Sequence, residues 1–192
     1  MPAGARGIDH VGLTVPDLDA ATRFFVEAFG AEVIYDTEMR GRGPVSGPGV
    51  EARLGVPPGT VQVAIRMVRL PDGPGIELFE YVVDGQRPPA RACDVGLQHL
   101  ALYVDDLDAA LLDLVLAGGE PLSEPHPLPG WESGEGNRFV YCRAPWGSLI
   151  ELITWPSPAP YELMTPLRRW VPRPLGAPQD EAVAAGDGEA GA

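Results

Sequence analysis

The hydrophobic pattern changes period in a fixed order, and it does so twice. "IDHVGLTV" (residues 8–15) alternates, with Val11, Leu13 and Val15 on one face and Ile8, His10, Gly12 and Thr14 on the other, as a half-buried strand does. The period then lengthens: residues 18–29 carry apolar positions at helical spacing, with Asp17 as N-cap and Gly30 as the C-terminal stop. Further on, "VQVAIRMVRL" (61–70) and "IELFEYV" (76–82) read as strands. The second round opens with "HLALYV" (99–104) and a helix over residues 107–117, capped by Asp106 and stopped at Gly118 or Gly119. "NRFVYCRA" and "SLIELITW" follow as strands around a Pro-Trp-Gly turn. Each round is βαβββ, with one middle strand weakly marked.

The rounds are copies. Residues 9–30 and 98–119 agree at eleven of 22 positions at an offset of 89. "RLPDGPGIELFEY" (69–81) and "RAPWGSLIELITW" (143–155) match at an offset of 74, pairing Glu77 with Glu151. The offsets differ by 15, so the first copy carries about that many extra residues, and the Gly/Pro-rich stretch 41–59 is the place for them. The chain divides into a first module (6–85), a second (94–157), a packing segment (158–175) with apolar and aromatic residues, and an acidic, non-aromatic tail (176–192) that reads as disordered.

Composition narrows the chemistry. The net charge of −13 argues against nucleic acid and anionic membranes as partners. No run of about 18 apolar residues suggests a membrane span, and "MPAGARGIDH" lacks the apolar stretch of a signal peptide, so the expected location is the cytoplasm. Cys93 and Cys142 are then expected to be unpaired thiols. All 14 basic residues are arginine, which removes Schiff-base, lysine-base and P-loop-lysine chemistry. With five serines, none beside a histidine and no G-x-S-x-G, a serine hydrolase is poorly supported.

The strand faces bring the polar residues together. Val11 and Leu13, like Leu100 and Leu102, pack under a helix, so His10 and His99 face the other way. In the last strands Ile76 and Leu78 oppose Glu77, Phe79 and Tyr81, and Ile150 and Leu152 oppose Glu151, Ile153 and Trp155. Each copy thus offers one histidine and one glutamate on the face away from its helix. A lone glutamate in "GIELFEY" or "LIELITW" would be costly to bury. A lone histidine or glutamate reads as part of a solvated face, but all four repeated in register favour a divalent ion. Two imidazoles and two carboxylates suit one Zn, Ni, Co, Fe or Mn ion, with two positions of an octahedron left open.

The phrases "HVGLTVPDLDAA…F…FG" and "HLALYVDDLDAA", each followed by "IEL", resemble the vicinal oxygen chelate superfamily over residues 6–157. Its members include glyoxalase I, methylmalonyl-CoA epimerase, extradiol dioxygenases and bleomycin-resistance proteins. The resemblance implies an α+β fold in which two tandem βαβββ modules form a cupped, open mixed β-barrel around a metal held by His10, Glu77, His99 and Glu151. Glu80 is the rival to Glu77. It further implies a small substrate with adjacent oxygens, a metal-stabilised enolate, a proton moved by Glu151 or Glu77, and a homodimer. The four-ligand set favours isomerases, epimerases and lyases over iron-dependent extradiol-type dioxygenases and drug- or metabolite-sequestering proteins. The module-one glutamate that serves methylmalonyl-CoA epimerase as second base is missing, its position falling near Ala64. "GPGIELFEY" and "APWG…IEL" resemble keto-cyclitol epimerases of secondary metabolism. Phe79, Tyr103, Arg138 and Trp131 are candidates to line the substrate cavity, with His126 in a loop that could close over it.

Overall fold

The structure is a computed structural model, and residues 4–5, 7–37 and 43–173 are described. The tail 176–192 and part of the Gly/Pro-rich stretch lie outside the described residues. Strand β1 (His10–Val15) enters α1 (Leu18–Phe29), followed by β2 (Glu32–Asp36), β3 (Val45–Ser46), α2 (Pro48–Leu54), β4 (Val61–Arg69) and β5 (Gly75–Val82). The second module runs β6 (Leu100–Tyr103), α3 (Leu107–Leu116), β7 (Glu120–Pro121), β8 (His126–Pro127), β9 (Arg138–Arg143) and β10 (Leu149–Thr154). Two five-stranded sheets result, ordered β1-β5-β4-β2 with β3 beside β4, and β6-β10-β9-β7 with β8 beside β9. In each sheet the first strand pairs in parallel with the last, and the other pairings are antiparallel. This is the α+β duplication expected, with the cup divided into separate sheets.

Local chemistry fixes the elements. The Asp17 carboxylate accepts from the Ala20 amide at 2.8 Å, and Gly30 closes α1 in the left-handed region at φ 64°. Asp106 caps α3 in the same way. Within the expected insertion, Pro48 starts α2 and Gly55 ends it at φ 66°, so part of this stretch is helical. The middle strand of module two is reduced to the two residues of β7.

One apolar core runs through both modules. Phe24 and Phe25 on α1 are 2% and 0% exposed, and their rings meet Trp146 from the β9–β10 turn at 5.4 and 5.9 Å. Trp146 donates its indole N–H to Ser148 Oγ at 2.7 Å, which holds the ring in place. Beneath α1, Arg66 ties Asp19 (2.8 Å), Thr22 (2.9 Å) and Asp36 (3.3 Å) together. The C-terminal segment folds back over the molecule: Tyr161 meets Trp155, and the Arg173 amide donates to Asp72 Oδ2 at 2.6 Å in the β4–β5 turn. Among the described residues no helix is long and apolar enough to cross a membrane.

Phe25→Ala should destabilise the protein by about 3–5 kcal/mol, because it empties the seam between the modules. Arg23→Ala on the exposed side of α1 should stay within about 0.5 kcal/mol. Urea unfolding checks both, and a Phe25→Ala loss below about 1 kcal/mol would contradict the shared core.

Candidate metal centre

The pleat of β1 turns His10 away from α1, and β5 lies beside it in parallel with Gly12 opposite Glu77. His10 Nε2 stands 3.3 Å from Glu77 Oε2. The other ring nitrogen, Nδ1, lies 2.7 Å from Asp9 Oδ2; a carboxylate only accepts, so Nδ1 carries the proton. The Asp9 hydrogen bond, helped by Glu77, holds the imidazole above its ordinary pKa. Glycines make room here. A Cβ at Gly75 would come within 2.9 Å of the Met67 sulfur, and one at Gly12 within 3.3 Å of the Phe79 ring. Phe79 stacks on Tyr81 at 5.8 Å, and Tyr81 accepts from the Gln62 amide.

Module two repeats the pair more deeply. His99 Nε2 is 3.0 Å from Glu151 Oε2, and Nδ1 is 2.9 Å from the Gln98 amide oxygen. Glu151 is 9% exposed, and burial pushes its carboxyl above the ordinary range, opposed by the charges of His99 and Arg169. Tyr141 meets His99 edge-on at 5.2 Å, and burial, with the Glu151 charge, raises its phenol. Phe139 continues this wall, with His126 of β8 at 6.2 Å from its ring.

Both pairs fit a cation by their donor chemistry. With the proton on Nδ1, an imidazole in either pair can turn a lone pair at Nε2 toward the carboxylate oxygen, an arrangement that suits a shared proton or a metal ion. Donors about 2.1 Å from one ion, at right angles, lie about 3.0 Å apart, close to both observed separations. Among the described residues, however, no group of three or more His, Cys, Asp or Glu stands close enough to hold a metal ion. The structure brings His10 to Glu77 and His99 to Glu151; it does not bring the pairs together.

Other candidates are sorted by the same pleat. Glu80 is on the helix side, where its Oε2 accepts from the Leu18 amide at 2.8 Å at the start of α1. Arg138 shares the face of buried Val140 and Cys142 and makes hydrogen bonds of 3.0 and 3.2 Å to Asp108 of α3, away from His99 and Glu151. Tyr103 has the parity of His99 on β6 and is half-buried, whereas Trp131 is 61% exposed on the short turn Gly130–Glu132. Sequence reasoning missed Asp9 and Gln98. They occupy the same place in the repeat, each just before its histidine, and that coincidence was the available signal.

Comparison with known proteins follows the same lines. The model of the Glyoxalase/Bleomycin resistance protein/Dioxygenase superfamily matches residues 9–141. A 2-epi-5-epi-valiolone epimerase from Actinomyces sp. is 38% identical over 171 residues, covering 88% of this chain and 90% of the relative. A glyoxalase family protein from Bacillus cereus superposes with a TM-score of 0.62 at 24% identity, over 80% of this chain and 97% of its own. A mutant of the fosfomycin resistance protein FosX from Listeria monocytogenes, complexed with Mn(II) and a dihydroxypropylphosphonic acid, does so at 0.50 and 19% identity. That match covers 78% of this chain and 90% of the other.

In the metal-free protein, Asp9→Asn should lower the pH at which His10 titrates, because it removes the strongest contact favouring the charged ring. With only three histidines in the chain, their ring-proton NMR shifts report this directly. An unchanged His10 midpoint would show that Asp9 does not hold the ring.

Proposed function

The chain belongs to the Glyoxalase/Bleomycin resistance protein/Dioxygenase superfamily, and on that premise we propose that it is a divalent-metal-dependent epimerase of a keto-cyclitol, a polyhydroxylated cyclic ketone. The observation that carries this reading is the 38% identity, over most of both chains, to a keto-cyclitol epimerase. The paired His–Glu sites supply residues suited to the task. His10, Glu77, His99 and Glu151 would hold one Zn, Ni, Co, Fe or Mn ion. Bound there, a divalent ion makes the hydrogen on the carbon next to a carbonyl acidic.

The chain's own residues would then handle the proton. Glu151 sits on an apolar strand where burial raises its proton affinity, which suits a carboxylate that must take a proton from carbon and give one back. Inversion at carbon needs removal on one face and return on the other. Glu77, carried by the other module, is the natural second carboxylate. Phe79 and Tyr81 in module one and Phe139 and Tyr141 in module two give both walls an aromatic lining. Such walls pack against the C–H face of a ring while excluding water.

Because the two pairs do not converge within a chain, we place the assembled site between two copies, module one of one facing module two of the other. Exposed Ile34, Tyr35 and Val82 on the first sheet leave apolar surface for that contact. Cytoplasmic location and a role in secondary metabolism complete the proposal.

Turnover in deuterium oxide should place deuterium on the carbon beside the substrate carbonyl, and Glu151→Gln should slow this exchange by about 10²–10⁴-fold. Exchange without added or bound metal, or none with it, would overturn the epimerase reading. The shared site is tested by complementation. Glu77→Gln and Glu151→Gln chains, each inactive alone, should regain about one quarter of wild-type activity when unfolded and refolded together, since one site in each mixed dimer is intact. No recovery would overturn the shared site.

A further inference from the structure

A cation stands on the module-two wall that the proposed chemistry has not used. Arg169 reaches it from the C-terminal segment, with its guanidinium carbon 4.6 Å from the centre of the Trp155 ring. Trp155 continues the parity of Glu151 and Ile153 just beyond β10, so this platform lies on the same side of the sheet as His99 and Glu151. The charge of Arg169 is felt at Glu151, as is that of Glu132. Its position is over-determined. Nη1 donates to Glu132 Oε1 at 2.5 Å, the Arg169 amide donates to Tyr161 Oη at 3.2 Å, and Tyr161 meets the Trp155 ring at 6.2 Å. Glu132 is itself anchored, because buried Asn137 donates its amide to the Glu132 carbonyl at 3.2 Å and to the Ser157 carbonyl at 3.0 Å.

An ion pair of this exposure, 45% and 42%, contributes little to stability. What distinguishes it is the capacity left over. Nε and Nη2 of Arg169 have no acceptor among the described residues, and one carboxylate oxygen of Glu132 is likewise without a donor. Fixed donors and a fixed acceptor stand side by side above an aromatic platform, within electrostatic reach of Glu151. Neighbouring hydroxyl groups on a ring ask for that combination, since one can donate to the carboxylate while the next accepts from the guanidinium. Glu132 offsets the charge of Arg169, so the pair suits an uncharged diol better than a phosphate.

We infer that Arg169 and Glu132 form the subsite that grips a vicinal diol of the substrate and so orients its reacting carbon toward Glu151. The inference rests on the keto-cyclitol reading and adds to it a binding role for the C-terminal segment. Arg169→Met, Arg169→Lys, Glu132→Gln and the neighbouring Arg168→Met are compared in the metal-loaded protein by deuterium exchange, with KM and kcat measured separately. Arg169→Met and Glu132→Gln should raise KM about 10- to 100-fold with kcat changed far less. Arg169→Lys should recover part of the loss, and Arg168→Met should match wild type. A substrate lacking one of the two hydroxyls should bind wild type and Arg169→Met alike. KM within about twofold of wild type for Arg169→Met, or for Glu132→Gln should the arginine variant not fold, overturns the subsite while the epimerase reading stands. A wild-type protein that exchanges no keto-cyclitol proton overturns both.

Discussion

The parallel pairing of the first strand with the last, made once in each module, is the constraint on which the candidate site depends. It sets Gly12 opposite Glu77 and Ala101 opposite Glu151, so each glutamate meets a residue with little or no side chain, and its histidine stands diagonally beside it. A slip of one residue would turn the glutamate toward the helix and a leucine or isoleucine toward the site. The register is held from the other side. Val15, Leu78, Ile76 and Leu152 are all but fully buried beneath the helices, so any slip would expose core on one face and bury charge on the other. Packing on one face thus fixes chemistry on the opposite one.

A second consequence concerns charge. The chain carries a net charge of −13 and builds every cation from arginine. In the described structure most of these arginines are tied to carboxylates, and some by forked contacts, as in Arg66 with Asp19 and Asp36 or Arg138 with Asp108. Arg66 and Arg138 stitch a helix to a sheet on the side away from the histidines. They leave the histidine faces rich in carboxylates, which favours a cation there and makes the exception, Arg169, conspicuous.

Much of this was legible in the chain. The repeat gave the modules, the alternation in "DHVGLTV" and "LIELITW" gave the faces, and Asp17, Asp106 and Gly30 gave the helix ends. The sequence shows Arg138 at the parity of apolar Val140 and Cys142, and the burial of those two is what puts it under α3. Helix α2 was hidden because Pro48 and Gly55, which resemble loop residues, are its start and stop. Arg169 was beyond sequence reach for a different reason. Its contact with Trp155 depends on the chain reversing through the turn Pro160–Leu163, and neither periodicity nor repeat extends that far.

The two histidine supports are alike in place and unlike in charge. Asp9 brings a full negative charge to the ring of His10, whereas Gln98 brings only an amide dipole to that of His99. The first pair is also the more open, with His10 39% exposed against 22% for His99. Burial raises the proton affinity of Glu151, whereas the Asp9 contact raises that of the His10 ring. Placed on opposite walls of one site, as we propose, the pairs would divide the labour, module one attracting the ion and module two holding the carboxylate that exchanges protons. The repeat supplies similar scaffolds, and the residue before each histidine differs between them in charge.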